Sequence, residues 1–142
     1  MKLWLFYALL SAVCAAFVSI FGKVGLEGLD SNAATSVRAV IMAVFLIFIV
    51  LFQGNISNIS EIFSDRKALF FIACSGIAGA ASWLFYFLAL KHGQVSQVAP
   101  IDKLSVVFAV LLAIILFGER VSFFKGIGIV FIAIGSLIVA IF

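Results

Sequence analysis

Residues 98–139 read VAPIDKLSVVFAVLLAIILFGERVSFFKGIGIVFIAIGSLIV, two long apolar runs parted by the polar interruption Gly118, Glu119 and Arg120. About 20 apolar residues in a helix cross the ~30 Å hydrocarbon layer of a bilayer. A helix is the favoured form because it satisfies its own backbone polar groups where no water is available to do so. The stretch therefore predicts two consecutive spanning helices joined by a tight turn, over 96–117 and 121–141. Working outward toward the N-terminus, three more runs of the same length and character lie at 3–22, 33–52 and 68–90. The expectation is an all-α membrane protein, a bundle of five transmembrane helices in one domain over 1–142.

Composition points the same way. The 142 residues are 66% hydrophobic and 11% charged, against about 25% charged in an ordinary soluble domain. A soluble chain this short has no interior large enough to enclose that much apolar surface. The net charge is +3, and the nine basic residues are dispersed, which excludes a nucleic-acid-binding stripe. Cys14 and Cys74 lie inside apolar runs without C-x-x-C spacing and read as small packing residues. Lys2 before an apolar run has the look of a secretory leader. The run over 3–22 is longer than the usual ~7–15 apolar residues of such a leader and lacks a small-x-small cleavage site, so it is read as the first span.

Connections between spans are short except for 53–67. That segment carries Ile56, Ile59, Ile62 and Phe63 at spacings of three and four, compatible with a short helix on the membrane surface or with a solvated loop. With the N-terminus inside, Lys2, Arg66, Lys67, Arg120 and Lys125 fall on the cytoplasmic side and Lys23 and Lys91 on the outer side. This bias predicts a cytoplasmic N-terminus and an external C-terminus.

Arg38, Asp102 and Lys103 interrupt apolar spans. Each ionised group at a helix centre costs about 2.5–3.5 kcal/mol on insertion, so such residues mark function by default. Counted along their helices at 1.5 Å per residue, Arg38 and Lys103 lie roughly 8–11 Å below the outer surface, close to the level of Ser82 and Trp83 in the third span. The expected site is a polar stratum where three helices meet, built from Arg38, Ser82, Trp83, Tyr86, Asp102 and Lys103. An Asp102–Arg38 pair that merely holds two helices together is the structural alternative.

Two helical stripes refine this. Ser75, Gly79, Ser82 and Tyr86 share one face of the third span, suited either to a cavity wall or to close helix packing. In the fourth, Asp102, Ser105, Ala109 and Ala113 form a small-residue seam, with Lys103 rotated about 100° from it toward different surroundings. Pro100 stands in the first turn of that span, where it is tolerated and loosens the backbone. The sole histidine, His92, lies in a short outer connection, and the sequence offers no Ser/His pair, metal-ligand cluster or phosphate-binding loop. Neither enzymatic activity nor a cofactor or metal is expected.

The quoted stretch, with its Ala99–Pro100 near a helix start, its Gly118–Glu119 after the fourth helix and its glycine-bearing fifth helix, resembles the end of the EamA repeat of the drug/metabolite transporter superfamily. DSNAATSVRAV at 30–40 and SGIAGAASWLFYFLALKHGQVSQVAPIDKLSV at 75–106 resemble its short, single-repeat branch, so the likeness covers essentially the whole chain. Longer members look like two inverted repeats with ten helices. The resemblance therefore implies a homodimer of this chain, with antiparallel pairing among its geometries. It further implies a secondary transporter that moves a small metabolite or drug-like solute across a prokaryotic cytoplasmic membrane by alternating access. Small multidrug exporters carry a carboxylate in the first helix, where this chain has only Ser11, Cys14 and Ser19 as polar groups. If protons drive transport, Asp102 is the better candidate carrier, or Lys103 where burial lowers its pKa. Gly118–Glu119 reads as a turn at the membrane edge. With all three ionised, Arg38, Asp102 and Lys103 sum to one positive charge, which favours solutes bearing a carboxylate. The competing class is a non-transporting membrane subunit whose buried charges pair with a partner protein.

Overall fold

A computed structural model describes residues 3–142. Lys2, counted above among the cytoplasmic charges, lies outside the described residues. The described chain is helical: α1 (Leu3–Gly25), α2 (Ser31–Phe52), α3 (Ile56–Ser64), α4 (Arg66–His92), α5 (Val95–Asp102), α6 (Ser105–Phe117) and α7 (Phe123–Ile141). Five stretches are long and apolar enough to cross a bilayer, with α5 and α6 together forming the fourth as Val95–Phe117. The protein is thus an all-α, multi-pass membrane protein.

Local chemistry explains the ends of these helices. Asp30 accepts the Ala33 N–H at 2.8 Å and caps α2, and Ser122 accepts from Lys125 N–H at 3.4 Å to cap α7. Asp65 accepts from the N–H groups of Lys67 and Ala68 at 2.9 and 3.1 Å at the start of α4. Gly118 ends α6 in the left-handed region, φ 64°, so that its own N–H and that of Glu119 turn back to the carbonyls of Ile114 and Ala113. Gly118–Glu119 is therefore a helix-ending turn, as its sequence suggests. α1 runs three residues past its apolar run, α2 starts two residues earlier, α4 extends two residues at each end so that His92 closes it, and α7 starts two residues later than expected.

Two compact units divide the chain. The first joins residues 3–23 to His92–Phe142, and the second is Val24–Lys91. Within the first, α5 and α6 pack on α7, and the Lys23 ammonium at the end of α1 donates to the Gly93 carbonyl at 2.7 Å. Between α6 and α7 lies an apolar groove of about 570 Å³, which α6 faces through Val107, Val110, Leu111 and Ile114. Ser105, Ala109 and Ala113 do not line this groove, and the helix that carries them is interrupted between Asp102 and Ser105.

The interruption has a visible backbone signature. Around Lys103 the chain changes from i→i−4 to i→i−3 hydrogen bonds: Lys103 N–H to Pro100 O, Leu104 to Ile101, Val106 to Lys103 and Val107 to Leu104, at 2.9–3.1 Å. Pro100 lacks the N–H that would bond the Ser96 carbonyl, and a tightened turn follows within one helical turn of it. What the sequence left as a loosened start is a break inside the fourth span.

The buried apolar residues, Leu26, Phe87 and Leu90, all belong to the second unit. Most of the remaining apolar surface on the spans is exposed, as expected where lipid rather than protein covers it. Cys14 and Cys74 are free and exposed on that surface, so they do not pack between helices of this chain as expected.

Candidate functional site

In the second unit Arg38 projects from α2 onto α4. Its guanidinium carbon sits 3.7 Å from the centroid of the Trp83 ring and 4.9 Å from that of Phe87. Trp83 and Phe87 are four residues apart on one face of α4, stacked at 5.6 Å with 26° between planes. Tyr86 closes the edge, its ring perpendicular to both at 5.8 and 5.9 Å. Arg38 lies seven residues beyond Ser31, roughly 10 Å down the helix.

Stacking has a chemical consequence. A guanidinium presents five N–H donors in its plane and none above it. Trp83 therefore covers a face of Arg38 while leaving the donor edge uncommitted. Among the described residues Arg38 has neither a carboxylate within ion-pair distance nor a hydrogen-bond acceptor. Such an edge is shaped for a bidentate carboxylate.

The other two intramembrane charges meet each other. Lys103 Nζ lies 3.1 Å from Asp102 Oδ2, with 56% and 36% of the side chains exposed. The 100° separation expected from a regular helix does not keep them apart. Asp102 ends α5, Lys103 occupies the tightened turn, and a four-carbon stem lets the ammonium curl back. This pair stands at the break, roughly 12 Å along from Val95.

Of the six residues expected in the site, Arg38, Trp83 and Tyr86 form one cluster, and Asp102 and Lys103 form a second arrangement within the other unit. Ser82 is exposed on α4 and takes no part in the aromatic cluster. Phe87 was missed from sequence, although its i+4 relation to Trp83 carried the signal. Also missed was the polar stripe above Arg38: Ser31, Thr35 and Arg38 follow at spacings of four and three along one face of α2. Thr35 Oγ1 donates to the Ser31 carbonyl at 2.7 Å. Ser31 is 1% exposed, yet its hydroxyl has no hydrogen-bond partner among the described residues.

Comparison with known proteins gives two matches of nearly full length. The model of the EamA-like transporter family matches residues 2–141. A Sinorhizobium sp. protein described as an uncharacterized transporter in the cobO 3′ region is 41% identical over 139 residues, covering 98% of this chain and 97% of that protein. No solved structure matches the chain.

Proposed function

The chain belongs to the EamA-like transporter family, and we propose that it is a secondary carrier of small, carboxylate-bearing solutes working as a dimer by alternating access. Family and relative alike support a membrane transporter. The observation that carries the finer reading is the Arg38 guanidinium, stacked on Trp83 and Phe87 with its donor edge unengaged. Because Asp102 and Lys103 neutralise each other, Arg38 is the uncompensated charge among the three intramembrane groups.

In this reading Arg38 receives the carboxylate edge-on, while Trp83 and Tyr86 wall the apolar part of the solute. Asp102 and Lys103 sit where a spanning helix is discontinuous, the kind of position at which carriers bind ions and hinge. Their pair opens and re-forms during the cycle. Ser82, uncovered in a single chain, faces the second copy. A single repeat with so little of its spanning surface covered supports assembly of two copies, parallel or antiparallel. The cytoplasmic membrane, with the N-terminus inside and the C-terminus outside, is the setting that the basic residues favour.

The test is ligand-induced thermal stabilisation of purified protein by small carboxylates and by amines of matched size, in wild type and Arg38→Ala, alongside uptake into liposomes. Carboxylates stabilise the wild type and lose that effect in the variant. Stronger stabilisation by amines, unchanged in Arg38→Ala, overturns the carboxylate reading. Labelling cysteines placed near both termini from each side of the membrane decides the dimer geometry: labelling of each terminus from one side alone excludes antiparallel pairing.

A further inference from the structure

The connection between the second and third spans is not an irregular loop but a nine-residue helix, α3. Its composition is divided by face. At 100° per residue, Ile56, Ile59, Ile62 and Phe63 fall within an arc of roughly 120°, and the serines, Asn58 and Glu61 fill the rest. Among the described residues nothing buries the apolar arc: these four residues are 56%, 37%, 40% and 66% exposed. The opposite face is where α3 meets the start of α4. There Ser57, Ser60, Glu61 and Ser64 line an open polar basin of about 910 Å³ with Arg66 and Lys67. The four apolar residues are not among those that line the basin.

The tethers at its two ends fix how α3 can lie. Three residues separate it from the end of α2 and one from the start of α4. The three are wound into a turn, in which the Gly54 and Asn55 N–H groups donate to the Leu51 and Val50 carbonyls, so the start of α3 stays beside the end of α2, whereas a nine-residue helix is about 13.5 Å long. A helix standing on end would lift one terminus further than its linker allows, so both ends stay at the level where the spans leave the membrane. Arg66 and Lys67, exposed in the first turn of α4, carry the charge expected at headgroup level.

We propose that α3 is an interfacial helix whose partner is the lipid bilayer itself: Ile56, Ile59, Ile62 and Phe63 enter the boundary between headgroups and acyl chains, and the polar basin opens to water. The occupant is lipid rather than another protein because the apolar face is continuous, through linkers of one and three residues, with the lipid-facing surface of two spans. So placed, α3 is a brace that holds the α2–α4 hairpin, and with it Arg38 above Trp83, at a set depth.

The experiment uses full-length protein in phosphatidylethanolamine/phosphatidylglycerol liposomes, with Cys14 and Cys74 replaced by alanine. Nitroxide labels are placed singly by I59C, F63C, S60C and S64C, and collision with oxygen and with a water-soluble nickel chelate is measured by EPR. Labels at 59 and 63 collide with oxygen at least severalfold more than with nickel, and labels at 60 and 64 show the reverse. Equal nickel access at all four positions overturns the proposal. So does shielding of 59 and 63 from both reagents, which would mean that protein covers this face.

Discussion

Arg38 reaches from α2 to aromatic rings on another helix, whereas Lys103 turns to the carboxylate beside it in the chain. Both cations interrupt apolar runs, but only Lys103 has a carboxylate beside it in the sequence. The first interaction exists only because two helices pack in one rotation. The second needs only neighbouring residues and a helix that breaks between them. A cation held by rings keeps its charge and its donor edge available to a solute. A cation held by an adjacent carboxylate has already spent its charge locally, and it regains it only when the pair opens.

Removing Arg38 sharpens the contrast most. Loss of a charge-assisted bidentate contact is worth about 1.5–3 kcal/mol, so Arg38→Ala weakens carboxylate binding roughly tenfold to hundredfold, read from concentration-dependent thermal shifts. Arg38→Lys recovers only part of this, because an ammonium neither stacks nor forks. Equal binding by the Lys and Ala variants and the wild type would place the solute elsewhere.

Next in size is the platform under the guanidinium. A desolvated cation–π contact is worth about 2 kcal/mol. Trp83→Ala lowers stability in detergent by roughly that amount and Trp83→Phe by less than half of it, as measured by thermal unfolding. If Trp83→Ala leaves stability unchanged, the stacking contributes nothing in the protein as it stands in a membrane mimic.

Pro100→Ala probes the other region. Restoring one N–H offers the Ser96 carbonyl a partner and strengthens α5 by about 1 kcal/mol, while liposome uptake slows because the break stiffens. Faster uptake with higher stability would separate the break from the transport cycle. The smallest effect belongs to the pair itself. A double-mutant cycle of Asp102→Asn and Lys103→Gln should give a coupling below about 1 kcal/mol, since half-exposed neighbours gain little from each other. A larger coupling would mean that the pair is more enclosed in the assembled protein than in one chain.

How legible each feature was follows the same division. The five spans could be read from apolar runs alone, and the Gly118 turn from its glycine. Asp30 and Ser122 stand where helix caps are expected, and the structure uses them as such. Of the site, Arg38, Trp83 and Tyr86 were legible because a charge and two polar-tipped aromatics are conspicuous in an apolar chain. Phe87 was not, since one phenylalanine among seventeen carries no mark of its own. The contact between Lys103 and Asp102 escaped a reading that assumed one unbroken helix. In the connection over 53–67, periodicity left helix and loop equally open, and the structure resolves it as α3.

Sequence by itself determined that this chain lives in a membrane, how many times it can cross, and which residues are out of keeping with lipid. Those properties are sums over neighbouring residues, since each side chain's preference for hydrocarbon and each backbone hydrogen bond of a helix is settled within a turn or two. Tertiary structure alone decided that Arg38 lies over Trp83 and Phe87 and that the polar face of α3 shares a basin with Arg66 and Lys67. These depend on the rotation and tilt of one helix against another, which a periodic pattern leaves free until side chains from distant parts of the chain meet.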